Sequence, residues 1–332
     1  MTPSASRPRS RRQTASPRSR ARPSVDIVIP VFNEAAGIER MHAELRKVID
    51  SLPYRFTIYW VNDGSTDATS AVLRRVARRR AENHILELSR NFGHQAALSA
   101  GIAAARGDIV ITMDGDGQHP PQLIPKMLEL VMQGYDIVQG QRVHAVDAGA
   151  LKKWTSGGFY RLLNFISGTQ VRPGAADFRA LSRQAVDALK AMPEYHRFLR
   201  GMISWMGYNS VILPFTESKR VAGKSKYSLA KMIRLAMDAL FSFSLAPLYV
   251  GLSLGGILLC LALLEMTYVL SFWVSGRTSG LAPGWSSLMF VVLIVGGMLM
   301  VLLGFIGIYV GYIFQEVKRR PVFLLKDGAG DH

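Results

Sequence analysis

The chain is 332 residues long and 49% hydrophobic, and its 40 lysines and arginines against 24 aspartates and glutamates give a formal net charge of +16. That length permits about two domains, and a single cysteine, Cys260, excludes any intrachain disulfide framework. Where the positive charge is densest it has no interleaved aromatics, which argues against nucleic acid as a partner.

Residues 1–24 hold seven arginines among serines and prolines, without one acid. Such a composition cannot bury a core and predicts a disordered basic tail. Ser10-Arg11-Arg12-Gln13-Thr14 has no apolar h-region behind it, so a cleaved signal is not expected. The tail's charges suit an anionic lipid surface, at about 1 kcal/mol each.

From residue 25 to 142, short apolar runs alternate with helical patterns. Strands are predicted at Val25–Phe32, Phe56–Asn62, Ile85–Ser89, Asp108–Met113 and Asp136–Gln139. Helices are predicted over 35–50, 67–81, 94–106 and 121–133. This alternation predicts an α/β domain with a mostly parallel sheet and helices on both faces. In such sheets ligands sit at the carboxyl ends of the strands.

Polar groups follow four of these five strands. Pro30-Val31-Phe32-Asn33-Glu34 closes the first and Asn62-Asp63-Gly64-Ser65-Thr66-Asp67 the second, where Asp67 reads as a helix cap and Asp63 as a ligand group. The fifth ends in Gln141-Arg142. The fourth leads into Asp114-Gly115-Asp116-Gly117-Gln118-His119-Pro120-Pro121. Two carboxylates spaced i, i+2 reach one rim, glycines admit a close ligand, and Gln118 adds a neutral oxygen. Hard oxygens of this kind suit Mg²⁺ or Mn²⁺ carrying a phosphate rather than zinc. An acidic pair also serves simply to cap a turn, so its neighbours must decide. No G-x-G-x-x-G follows a strand and no G-x-x-x-x-G-K-[ST] occurs, so neither a dinucleotide-binding site nor an ATPase is supported.

Asp177-Phe178-Arg179 is expected in a loop between helical stretches. Residues 227–245 carry Leu229, Met232, Ile233, Ala236, Met237 and Leu240 at helical spacing, with Lys231, Arg234 and Asp238 elsewhere. That pattern predicts an amphipathic helix lying in a membrane interface. Two charge-poor segments follow, placed near 246–270 and 287–312, and each satisfies the roughly 20 apolar residues of a membrane span. Glu265 lies within the first, where a carboxylate is costly. Lys224, Lys226, Lys231 and Arg234 precede the first span, Lys318, Arg319 and Arg320 follow the second, and the loop between them offers only Arg277. The positive-inside rule then puts both flanks in the cytoplasm.

Together, Val28-Ile29-Pro30-Val31-Phe32-Asn33-Glu34, Val61-Asn62-Asp63-Gly64-Ser65-Thr66-Asp67 and the Asp114–Pro120 motif resemble family 2 glycosyltransferases with the GT-A fold. The Gln118-His119-Pro120-Pro121 extension and two C-terminal spans resemble the polyprenyl-phosphate glycosyltransferases within it, the dolichyl-phosphate mannosyltransferase and bactoprenol glucosyltransferase group. The resemblance covers about 25–320. It implies a GT-A domain over 25–226, an interfacial helix over 227–245, a two-helix transmembrane domain over 246–317 and a cytoplasmic tail over 318–332.

It also implies roles. Pro30, Asn33, Glu34 and Asp63 line the nucleotide pocket, Asp63 near the base, and Asp114 faces the ribose and sugar. Asp116 and Gln118 ligate Mg²⁺ or Mn²⁺ on the donor diphosphate. Arg142, Lys152, Ser156, Arg220 and Lys224 bind the acceptor phosphate; Lys152 and Ser156, like Arg220 and Lys224, are four apart and share a helix face. Asp177 either serves as a structural hinge through Arg179 or approaches the reacting centre, and Asp114, Asp116 and Asp177 form the catalytic set. The expected reaction moves a sugar, from UDP-glucose, to undecaprenyl phosphate with inversion. The expected enzyme is a homo-oligomer, with four subunits in the group, at a bacterial inner membrane. Two other readings compete. A processive polysaccharide synthase would carry more spans and a Q-x-x-R-W segment, where His196-Arg197-Phe198-Leu199-Arg200 stands instead. A catalytically inactive lipid-binding scaffold would not need the acidic pair, Gln118 and the cations.

Overall fold

The computed structural model describes residues 22–143, 175–216, 246–276 and 284–326. Among these residues seven strands form one sheet: β1 Ser24–Val31, β2 Arg55–Asn62, β3 Asn83–Glu87, β4 Ile109–Thr112, β5 Ile137–Arg142, β6 Ala175–Ser182 and β7 Ser210–Phe215. Their order is β3-β2-β1-β4-β6-β5-β7. Every neighbouring pair is parallel except the two involving β6, which runs antiparallel between β4 and β5. The five strands expected between residues 25 and 139 all form, with bounds shifted by at most three residues.

Helices cover both faces, so the central strands are apolar on both sides. On one face α1 Ile38–Ile49, α2 Thr69–Arg79 and α4 Ile124–Met132 pack on Ile27, Ile29, Ile58, Trp60 and Ile111. On the other, α3 His94–Ala104, α5 Arg183–Ala191 and α6 Leu199–Trp205 pack on Val28, Val61, Val110 and Leu181. Small residues bring α3 close to the sheet: a Cβ at Gly101 would collide with Val28 and Val61. Ser182 caps α5 by accepting from the Ala185 N–H at 3.2 Å.

Three local expectations change. Asp177-Phe178-Arg179 lies not in a loop but inside β6. The alternation that makes it a strand is present: Ala176, Phe178 and Ala180 enter one core and Leu181 the other. Asp177 and Arg179 interrupt the apolar run and hide it. Asp67 stands one residue before the cap position of α2, which is Ala68; its Oδ1 accepts from the Thr69 N–H at 2.9 Å, an Asx turn leading into the helix. The chain after residue 318 is more than a tail, because Leu325 forms an antiparallel bridge with Leu88 beyond β3.

Two long helices follow, α7 Ala246–Val274 and α8 Trp285–Val317. They pack at Gly251, where a Cβ would meet Leu302. Among the described residues, one stretch, Ile294–Val317, is long and apolar enough to cross a membrane, with a mean hydropathy of 2.3 and no part of it buried. Leu252, Leu264, Met300 and Leu303 are among the large apolar side chains left exposed on this pair. The Glu265 side chain, most of the basic tail, the interfacial segment 227–245, and Lys152, Ser156, Arg220 and Lys224 lie outside the described residues.

Candidate active site

The carboxyl ends of β1, β2 and β4 form one rim. At the end of β1 the backbone turns through Asn33, whose φ of 55° is left-handed. Asparagine tolerates that region better than most residues. Asn33 N–H donates to Ser65 Oγ at 3.0 Å, and the Thr66 N–H donates to Asn33 Oδ1 at 2.9 Å. Glu34 N–H donates to Thr69 Oγ1 at 3.0 Å. The loops after β1 and β2 are thereby tied into one surface. Gly64, at φ 63°, lies so close to the Arg90–Asn91 backbone that no Cβ fits there.

Asp63 is 3% exposed. Its Oδ1 accepts from Phe92 N–H at 2.7 Å and its Oδ2 from Gly93 N–H at 3.0 Å. Burial pushes the carboxyl above its ordinary pKa, opposed by these two donors. Asp63 therefore holds the loop that enters α3, and α3 begins at His94.

After β4 the acidic loop folds back on itself. Asp116 Oδ1 accepts from the Gln118 N–H at 3.1 Å, so both metal candidates belong to one turn. Gly115 is required there, since a Cβ would come 2.8 Å from the Pro30 carbonyl oxygen and run into Val31. His119 Nδ1 accepts from the Asp114 N–H at 2.9 Å. The ring is buried, stacked 5.0 Å from Phe178 and edge-on to Phe215. Burial lowers its pKa, against the pull of Asp114. The neutral tautomer that accepts at Nδ1 carries its proton on Nε2, 3.4 Å from Asp114 Oδ2.

Asp114 is surrounded by nitrogen. His94 Nε2 lies 3.4 Å from its Oδ1, and Arg142 Nη2, at the end of β5, 3.7 Å from its Oδ2. The buried Oδ1 makes no hydrogen bond among the described residues.

His94 Nε2 also reaches Asp177 Oδ2, at 3.3 Å. Desolvation would lower this imidazole, but the hydrogen bond to Asp177 and the charge of Asp114 outweigh it and hold His94 above its ordinary pKa. Asp177 is 2% exposed and both its oxygens are engaged. Oδ1 accepts from Arg179 Nη2 at 2.6 Å and Arg200 Nε at 3.1 Å, and Oδ2 from Arg200 Nη2 at 2.9 Å and Gln95 Nε2 at 3.4 Å. Burial would raise the carboxyl, but Arg200, His94 and Arg179 outweigh that and hold it well below the usual carboxylate range. Asp114, His94, Asp177 and Arg200 thus form a continuous chain of charge along the rim.

Pro30, Asn33, Glu34, Asp63, Asp114, Asp116, Gln118, Arg142 and Asp177 all come from the strand ends and loops of this one rim. Sequence reasoning passed over His94 and Arg200. His94 follows the third strand, so the rule applied to the other strand ends finds it. Arg200 sits on a short helix far along the chain, and no local pattern marks it.

The residues after β4 fit a hard divalent cation. Asp116 and Gln118 carry hard oxygens on a single turn and would provide the protein's share of such a site. Among the described residues no group of three or more His, Cys, Asp or Glu side chains is placed to hold a metal unaided.

Residues 26–190 match the family described as glycosyl transferase family 2. An uncharacterized glycosyltransferase of Synechocystis is 38% identical over 91% of this chain and 95% of its own length. The SfII prophage-derived bactoprenol glucosyl transferase of Shigella flexneri is 34% identical over 91% of this chain and 97% of its own. Among solved structures, mannosyl-3-phosphoglycerate synthase from Rubrobacter xylanophilus aligns with a TM-score of 0.47 at 17% identity, over 66% of this chain and 72% of that one. With such relatives matched along nearly their full length, the chain belongs to glycosyltransferase family 2 and is a hexosyltransferase.

Proposed function

We propose that the protein is a membrane-bound inverting glycosyltransferase that moves glucose from UDP-glucose to a polyprenyl phosphate, undecaprenyl phosphate in a bacterial inner membrane. The observation that carries this reading is the rim itself, where Arg142 lies 3.7 Å from Asp114 and the Asp116–Gln118 turn follows Asp114 in the same loop. A donor diphosphate and an acceptor phosphate are both anions, and such a rim offers each its counter-charge. The relatives named bactoprenol glucosyl transferase support the lipid acceptor and the sugar. The Ile294–Val317 stretch of α8 supports one membrane span and the exposed apolar side chains of α7 support a second; the flanking lysines and arginines support placing the catalytic domain and both termini in the cytoplasm.

Pro30, Asn33 and Glu34 line the nucleotide side, and Asp63 shapes its floor by holding Phe92 and Gly93. Asp116 and Gln118 would hold Mg²⁺ or Mn²⁺, which when bound neutralises the charge that builds on the departing diphosphate. Asp114 accepts hydrogen bonds from the donor's ribose and sugar hydroxyls. Arg142, with Lys152, Ser156, Arg220 and Lys224, holds the acceptor phosphate. An oxygen of that phosphate attacks the anomeric carbon, the bond from that carbon to the donor diphosphate breaks, and the nucleoside diphosphate leaves with the electron pair. A phosphate monoester with a second pKa near 6 is already mostly dianionic at neutral pH, so no strong general base is needed. Asp177 serves the reaction by holding His94 beside Asp114.

Purified protein in lipid vesicles, given radiolabelled UDP-glucose, should put label into the organic phase only when undecaprenyl phosphate is present. No extractable label with any nucleotide sugar overturns the reading, and label from GDP-mannose alone overturns the assigned sugar. Arg142→Ala should raise the acceptor KM roughly 10- to 100-fold, the loss of a charge-assisted contact, and leave the donor KM within about twofold. An unchanged acceptor KM would remove Arg142 from the acceptor site.

A further inference from the structure

β3 is an edge strand of the sheet, and an edge leaves alternate backbone groups unpaired. At its end the alternation is explicit. The Leu88 N–H donates inward to the Asn62 carbonyl at 2.9 Å. The Ser89 N–H donates outward to the Leu324 carbonyl at 2.9 Å, and the Glu87 carbonyl accepts from the Lys326 N–H at 2.8 Å. Phe323 packs into the core cluster that contains the inner face of α3. This short strand comes directly after α8, and α8 is itself fastened to the catalytic domain. Glu316 Oε1 accepts from the Tyr195 N–H at 2.9 Å, and the Tyr312 ring lies 4.6 Å from that of His196. The last turns of α8 and the strand after it therefore touch two of the three segments that deliver nitrogen to Asp177: the loop running from β3 to His94, and the loop before α6 that leads to Arg200; the third is β6 itself, through Arg179.

We propose that Phe323–Lys326, seated as an added strand on the β3 edge, is a positioning element of the transfer site, which holds the His94 loop at a set place and couples it to α8. Asp63 grips that loop at Phe92 and Gly93 from within the rim, and the added strand grips its start, at Glu87 and Ser89, from outside. With both grips in place, His94 stays within reach of Asp114 and Asp177. The mode is strand addition, in which backbone hydrogen bonds supply the attachment. The Ser89 and Lys326 donors require only an extended backbone, so side-chain chemistry at residue 326 is secondary.

The inference rests on the reading of the rim as the transfer site, and the test separates the two. Lys326→Pro deletes the N–H that Glu87 accepts, whereas Lys326→Ala keeps it. In full-length protein in vesicles, hydrogen–deuterium exchange is followed over residues 88–94 and, as an internal reference, over α1. The proline variant should exchange at 88–94 about 3- to 10-fold faster, the worth of one backbone hydrogen bond. The alanine variant should match wild type, and α1 should be unaffected in both. Unchanged exchange in the proline variant, or equal loosening in the alanine variant, overturns the proposal.

In the transfer assay the proline variant should lose kcat about 3- to 10-fold, again the worth of that bond, with the donor KM within about twofold. Loosened exchange with kcat intact reduces the strand to a structural tie and also overturns it. A chain ending at Arg320 takes the place of the proline variant if that variant does not accumulate. A wild-type protein that transfers nothing to polyprenyl phosphate overturns the function reading, while the exchange measurement still decides whether the strand holds the loop.

Discussion

Replacing Asp116 by alanine is expected to lower transfer about 10³-fold or more, the order of loss when a preorganised group facing developing charge is removed, with the protein still folded and inserted. The side chain is half-buried in a turn that closes through its own Oδ1 and the Gln118 N–H. The core beneath rests on the apolar side chains of Ile111, Met113 and Ile124, and Asp116 is not part of that cluster. The loss therefore belongs to chemistry and not to folding. Steady-state rates at saturating donor and acceptor, beside a thermal unfolding curve, separate the two. Full activity in Asp116→Ala would remove the metal assignment, and a collapsed unfolding curve would show that the turn is structural.

Asp177→Ala is expected to do the opposite and strike stability first. Arg179 is 2% exposed and Arg200 half-buried, and Asp177 bonds both guanidinium groups. Removing one partner of a buried ion pair leaves uncompensated charge and costs about 3–5 kcal/mol, a large share of the roughly 5–15 kcal/mol that holds a domain together. The unfolding midpoint should fall by about 10 °C. Asp177→Asn keeps the shape and should fall less.

The pH dependence follows from the depressed carboxyl. In the unfolded chain Asp177 titrates near about 3.9, and in the folded protein well below that. Its contribution is fully present above the unfolded value and is lost as pH falls through the folded one. Wild type should therefore lose stability on acidification below about pH 5 more steeply than Asp177→Asn. Equal midpoints for wild type and both variants would show that Asp177 carries no structural charge balance.

The part of the rim at the ends of β1, β2 and β4 is legible in the sequence because each of these strands is a bounded apolar run that ends in a polar turn. Asn33, Asp63, Asp114 and Asp116 all stand at such ends. What stayed hidden depends on partners distant in sequence. β6 is masked because Asp177 and Arg179, a charged pair whose partners include the distant Arg200 and His94, break its apolar pattern. The double use of Asp63 by the Phe92 and Gly93 backbone cannot be read from residue types at all. The strand at Leu324–Lys326 is too short for any periodicity, and only the unpaired edge of β3 gives it a place.

The central claim is that a lipid phosphate oxygen displaces the nucleoside diphosphate at the anomeric carbon. It is tested most directly by purifying the lipid product made from UDP-glucose and undecaprenyl phosphate and determining its structure by mass spectrometry and NMR. The account predicts a lipid bearing one phosphate and one glucose, joined through a phosphodiester at the anomeric carbon, with the configuration inverted from the donor. A retained configuration, a pyrophosphate-linked sugar, or glucose released into water with the lipid unmodified would contradict it.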